Sequence, residues 1–152
     1  MVKRLIASLA SALALVAFLL PAPPADAAKD KVHRVVIHVD DNDPKRMNMA
    51  LNNASNIDAY YKEKGEEVVI EIVTYGPGLH MLRADTSPVK KRIMSFGESF
   101  DNISFWACGN TKRIMAKKEG GKIKLLPQAK MVPSGVVHLM ERQEQGWSYV
   151  RP

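Results

Sequence analysis

The chain is nearly devoid of cysteine: Cys108 is the single thiol in 152 residues. A lone cysteine forms no intrachain disulfide, and without a Cys-x-x-Cys pair thioredoxin-type dithiol chemistry is excluded. Zinc is disfavoured too, because the four histidines (33, 38, 80 and 138) share no ligand spacing with the thiol. Other signatures are missed narrowly. Cys108 to Arg113 is Cys-x4-Arg, one residue short of the phosphatase pattern. Gly76-Pro77-Gly78 lacks the third glycine of a dinucleotide fingerprint and reads as a turn. Asp40, Asp41 and Asp43 lack the spacing and the closing glutamate of a calcium loop, so they read as cap and turn residues. Aromatics are scarce, at 7%. They do not interleave with the basic clusters, as a groove for single-stranded nucleic acid requires. No nucleic-acid partner, metal or cofactor is therefore implied.

Long apolar runs are also missing, except at the start. Lys3 and Arg4 precede an apolar stretch over residues 5–20, which falls short of the ~20 residues of a spanning helix. Pro21, Pro23 and Pro24 break it, and Ala25-Asp26-Ala27 has the small-x-small form of a cleavage site. Residues 1–27 thus read as a signal peptide, leaving 28–152 as one domain. No cysteine lies near the cleavage point, against a lipoprotein anchor. The expected product is periplasmic or secreted, with no membrane attachment after cleavage. The formal net charge is +6, and +5 once Lys3, Arg4 and Asp26 are removed. The basic excess is dispersed over Lys90-Lys91-Arg92, Lys112-Arg113, Lys117-Lys118, Lys122 and Lys124. It reads as solvated helix faces, with attraction of a small anion or an acidic partner as the alternative.

What the chain does have is alternation of strand and helix patterns. Residues 32–39 are β-branched, and their apolar end suggests a strand buried on both faces, as in a parallel sheet. Asp43 and Pro44 form a cap and first helical position, and Met47, Ala50, Leu51, Ala54, Ile57 and Tyr61 recur at helical steps. Gly65 is placed to close that helix in the left-handed conformation. Asn48, Asn52, Asn53 and Asn56 are unusual inside a helix and read as its polar face, with bonds to a neighbouring loop or subunit as the alternative. Residues 67–74 form a second strand, and Gly76-Pro77-Gly78 an abrupt turn before a helical turn at 79–82. Ser87-Pro88 suggests the cap of a helix reaching Phe96, where Gly97 interrupts it. Residues 103–107 form a third strand, 111–118 a helix, 130–132 a short strand, 136–145 a last helix and 147–150 a last strand. Alternation of this kind predicts an α/β domain: a mainly parallel sheet with helices on both faces and right-handed crossovers.

In such a sheet, ligands bind beyond the carboxyl ends of the strands. Four loops qualify, at 40–43, 76–79, 108–110 and 133–135. The candidate site residues are Cys108 as the reacting group, with Gly76, Gly78, Leu79, Gly109, Asn110, Ser134 and Gly135 around it. Cys108 precedes a helix, whose free N–H groups and dipole favour an anion and lower a thiol pKa. Lys112 and Arg113 add positive charge. Two readings stand side by side: a reactive thiolate, or a small buried hydrophobe. His38 and His80 near the rim could move protons, or could be plain core or surface histidines.

Several segments together resemble the DsrE/DsrF-like (DsrEFH) family, in particular its exported single-domain members. They are Val35-Val36-Ile37-His38-Val39 with Ala50-Leu51-Asn52-Asn53, then Val73-Thr74-Tyr75-Gly76-Pro77-Gly78-Leu79, then Phe105-Trp106-Ala107-Cys108-Gly109-Asn110-Thr111. Val132-Pro133-Ser134-Gly135-Val136-Val137 and Gln143-Glu144-Gln145-Gly146-Trp147-Ser148-Tyr149 complete the set. The resemblance implies a three-layer α/β/α domain with a five-stranded, mainly parallel sheet, assembled as a homo-oligomer, trimer or hexamer. It also implies a sulfur carrier that holds sulfane sulfur as a persulfide on the residue matching Cys108, exchanging it with a donor or acceptor protein or a small sulfur compound. The relatives with that relay are cytoplasmic, so their partners do not carry over to an exported chain. The alternative is a non-catalytic oligomeric module of the same fold that binds a small ligand or a partner.

Overall fold

The computed structural model describes residues 31–152; the expected signal peptide and cleavage point lie outside the described residues. Runs of valine and isoleucine that are apolar on both faces pack best inside a sheet. The two richest runs, β1 (His33–Val39) and β2 (Val68–Thr74), accordingly lie side by side near its middle. β3 (Ile103–Cys108) flanks β2, and the shorter β4 (Ala129–Val132) and β5 (Ser148–Val150) form the edges. The order is β4-β3-β2-β1-β5, and every pairing among these strands is parallel. The intervening helices are α1 (Pro44–Glu63), α2 (Lys90–Ser99), α3 (Gly109–Glu119) and α4 (Gly135–Glu144), with a 3-10 helix over Gly76–Leu82. Helices cover both faces, giving the expected three-layer α/β/α domain.

The two faces are unequal. Val35, Ile37, Ile70, Ile72 and Phe105 point into a large core with Met47, Leu51 and Ala54 of α1, Leu79 and Leu82 of the 3-10 helix, and Ile93 of α2. The opposite face has a small core of Val36, Val73 and Leu139, flanked by Tyr75, Trp106 and Trp147. Leu139 comes from α4.

Local chemistry explains the boundaries. The Asp43 side chain accepts from Lys45 N at 2.9 Å, Pro44 opens α1, and Gly65 follows its end at φ +68°. The expected turn at Gly76-Pro77-Gly78 is instead the first half of the 3-10 helix. Gly76 takes φ +51°, and Gly78 lets the chain lie on the end of β1: a Cβ there would sit 2.1 Å from the Val39 carbonyl oxygen. The small residue thus admits the protein's own backbone, with Gly78 N donating to Asp40 O at 3.0 Å. Ser87 does not cap α2; its hydroxyl donates to Met81 O, and the helix starts later and runs through Gly97. α3 and α4 also begin earlier than the pattern suggests, at Gly109 and Gly135. Two of the asparagines of α1, Asn48 and Asn52, do more than form a polar face. Arg92 of α2 donates to Asn48 Oδ1 at 2.6 Å and to Asn52 Oδ1 at 2.8 Å, tying two helices together.

Arg83 is the most buried cation of this architecture, at 3% exposure. It donates to both oxygens of Asp85, at 2.9 and 2.7 Å, and to both oxygens of Glu119 on α3. Those bonds hold the Asp85 carboxyl at about 2, below its ordinary 3.8. The folded value is depressed, so the contribution to stability is full above 3.8 and is lost as pH falls through about 2. Urea midpoints measured across that window should fall more steeply in the wild type than in Asp85→Asn. Gly78→Ala should lower stability by more than about 1–3 kcal/mol, because backbone rather than a flexible side chain must move; urea unfolding reads it directly.

Candidate functional site

All five strands run the same way, so their carboxyl ends share one rim. β3 enters α3 with no loop between them. Cys108 is the last residue of β3 and the N-cap of α3, where its Sγ accepts from Thr111 N at 3.4 Å. The start of α4 meets the same sulfur. Gly135, the first residue of that helix, lies so close that a Cβ on it would be 3.2 Å from Cys108 Cβ and 3.1 Å from the Tyr75 ring. The sulfur therefore sits between the N-termini of two helices.

This placement decides its ionisation. Burial pushes the Cys108 thiol pKa up. Polar donors around the sulfur, the Thr111 hydroxyl first and then the backbone at Gly135, Thr111 and Asn110, outweigh burial and leave the thiol below its ordinary 9.0. Thr111 is oriented for this. Its hydroxyl accepts from Gly76 N at 3.0 Å, which leaves its proton for the sulfur. The thiol is 4% exposed. It is thus both sheltered and biased towards the thiolate.

A polar cluster continues along the rim on the α4 side of the sheet. His38 stacks on Tyr75 with ring centroids 4.6 Å apart, and its Nδ1 is 2.7 Å from the Tyr149 hydroxyl. Its Nε2 is buried without a hydrogen-bond partner and lies 3.8 Å from Asp40 Oδ2. Burial lowers the His38 pKa, with Asp40 opposing and Arg151 assisting. Arg151 holds Asp40 through Nη2 at 2.8 and 3.0 Å. Burial and the Asp40 charge raise the Tyr75 pKa, and Cys108 contributes as well. Tyr75 therefore bridges the thiol and the His38 cluster as a neutral phenol.

The predicted site residues fall into two groups. Gly109, Asn110 and Gly135 surround Cys108, and Gly76 reaches it through Thr111. Gly109 is small for packing: a Cβ would be 3.1 Å from Val132 O. Ser134 precedes α4, but its side chain makes no capping bond. Gly78 and Leu79 do not face the thiol; Gly78 rests on the end of β1, and Leu79 is fully buried in the large core. His80 bonds Thr86 at 2.8 Å. It also lines a surface groove with Gly76, Pro77, Thr111, Ile114 and Lys118, of about 310 Å³. A cleft of about 530 Å³ lined by Asp58, Glu66 and Asp101 lies at the opposite, amino end of the strands, away from this chemistry. Among the described residues, no three His, Cys, Asp or Glu side chains gather as a metal site, and no helix is long and apolar enough to cross a membrane.

Sequence reasoning did not single out Thr111, Tyr75 and Tyr149 as site residues. The signal for Thr111 was its place three residues after a capping residue, where a helix N–H must find an acceptor. Tyr75 and Tyr149 each follow or end a strand, which puts them on the rim once the sheet is parallel.

Among solved structures, the chain is similar to a protein of unknown function from Methanobacterium thermoautotrophicum. The identity is 34%, the TM-score is 0.67, and the match covers 79% of this chain and 99% of that one. The chain belongs to that protein's family. No family model matches it, and no curated protein does. The chemistry of this family has to be read from the site itself.

The cradle sets a measurable thiol. The rate of Cys108 alkylation by iodoacetamide should titrate with a midpoint below 9.0. Thr111→Val removes the hydroxyl donor and should move that midpoint upward. A wild-type midpoint at or above 9.0 would refute the cradle's effect.

Proposed function

We propose that the protein is an exported sulfur carrier of the DsrE/DsrF-like type, with Cys108 accepting sulfane sulfur as a persulfide and passing it on. The observation that carries this reading is the thiol between two helix N-termini, where Sγ accepts from Thr111 N and donors at Thr111 and Gly135 favour the thiolate. Those donors favour any anion at that point, and a persulfide is also an anion. They serve the thiolate before transfer and the terminal sulfur after it. The resemblance in the segments around Cys108 and Gly135 supports the same reading.

The step balances without an outside oxidant. With thiosulfate as donor, the Cys108 thiolate attacks the sulfane sulfur and a new S–S bond forms at Sγ. The donor's own S–S bond breaks, and its electron pair leaves with sulfite. The product is a persulfide anion on Cys108. Polysulfides donate in the same way, with a shorter polysulfide as the leaving group. Return of the sulfur to an acceptor thiolate reverses the roles. No proton needs to move in the attack, so the step requires no general base beside the sulfur.

The second reading, an oligomeric ligand- or partner-binding module with a structural cysteine, draws on the 4% exposure of Cys108. Self-association is common to both readings. Val136, Val137 and Met140, at 49%, 46% and 53% exposure on α4, are the apolar side chains it would cover.

Intact-mass spectrometry after incubation with thiosulfate or polysulfide separates the two readings. The sulfur carrier predicts a gain of about 32 Da, reversed by a reductant. Cys108→Ser should keep its fold and show no gain. A wild-type protein that stays unmodified would leave the binding module as the function.

A further inference from the structure

α4 is built the wrong way round for a helix lying on a sheet. Its inward positions are Gly135, His138, Leu139 and Arg142, of which Leu139 alone is a large apolar side chain. Its exposed positions include Val136, Val137 and Met140. An ordinary surface helix has the opposite pattern. Beyond the contacts of Leu139 with Val36 and Val73, what attaches α4 to the sheet is one carboxylate. Glu71 lies on β2, between the apolar neighbours Ile70 and Ile72, and is 5% exposed. Its Oε2 is 2.7 Å from His138 Nε2, and its two oxygens accept from Arg142 Nε at 2.8 Å and Nη2 at 2.9 Å. Trp106 lies against the His138 ring at 4.9 Å, and the Arg142 guanidinium lies over Trp147 at 4.9 Å. The same helix presents Gly135 to Cys108.

We propose that Glu71 is a positioning residue for Cys108: through His138 and Arg142 it latches α4 so that Gly135, at the helix start, is held against Cys108. The inference rests on Cys108 being the reacting group of the function proposed above. A buried ion pair contributes little net stability over well-packed apolar side chains, but removing one partner strands the other. The latch therefore holds α4 in one orientation while it is whole, and releases it when one partner is lost. Leu139 by itself buries too little apolar surface to keep the helix in register. Release exposes the thiol and takes the N-terminus of α4 away from it together.

The test is the alkylation of Cys108 by iodoacetamide followed over pH, with no sulfur donor present, so this inference and the persulfide reading can fail separately. Glu71→Gln keeps the shape of the side chain and removes the charge. Its limiting rate at high pH should rise by at least about tenfold, and the midpoint should move up towards that of a free thiol. Arg142→Met keeps the stem and removes the fork, and should give the same pair of changes. Leu51→Ala, in the large core on the other face, controls for general loss of stability and should produce neither change. If Glu71→Gln does not fold, Arg142→Met decides by the same two readouts. A variant that folds and shifts only one of them, or neither, relative to Leu51→Ala overturns the latch.

Discussion

Everything at the candidate site depends on the parallel direction of the strands. A parallel pair requires the chain to return to the same end before each new strand, and helices make the return. The carboxyl ends of the strands and the amino ends of the following helices therefore meet on one rim. Backbone N–H groups that no helix can satisfy internally accumulate there. In this protein two such helix starts, those of α3 and α4, converge on one sulfur atom. The thiol's character is a product of topology before it is a property of its immediate neighbours.

Burial and hydrogen bonding act on that sulfur in opposite directions. Taking a thiolate out of water raises its pKa, and donors aimed at the anion lower it. The second effect prevails because the donors are fixed by the backbone and pay no further ordering cost when charge develops. Gly135 makes this possible. A side chain there would run into Tyr75 and Cys108. Thr111 adds the remaining donor and is itself held by Gly76. The ends of β2, β3 and β4, at Tyr75 just past β2, Cys108 and Val132, are thus tied into one cradle without a metal-like cluster of side chains.

The two faces of the sheet are held by different forces. One face is secured by a continuous apolar core under α1, α2 and the 3-10 helix. The other has few apolar contacts and a buried Glu71 network under α4. Hydrophobic packing is non-directional and tolerates sliding; a bidentate carboxylate–guanidinium pair has one geometry. The face that must place a helix start against a sulfur atom uses the directional interaction. Its apolar residues are left on the outside of α4, available for association.

The α/β alternation, the strand cores, the start of α1 at Asp43-Pro44 and its end at Gly65 were legible in the residues alone. Each follows from local periodicity or from a backbone conformation that few residues adopt. The proximity of Cys108 to a helix start was legible for the same reason. The helix boundaries at Gly97, Gly109 and Gly135 were not, because glycine ordinarily marks an end, and here close packing requires it inside or at the start. The role of Gly78 was also hidden: it makes room for the carbonyl of Val39, a residue far away in the chain. Glu71 reads locally as an interruption of an apolar strand, and His138 and Arg142 as ordinary surface residues of a helix. Only the tertiary structure pairs them, since contacts between residues 67 to 71 positions apart leave no periodic trace. The sequence by itself determined the layers, the direction of the strands and the rim on which the thiol lies. Tertiary packing decided that the thiol has two helix starts rather than one, and that a buried carboxylate holds the second in place.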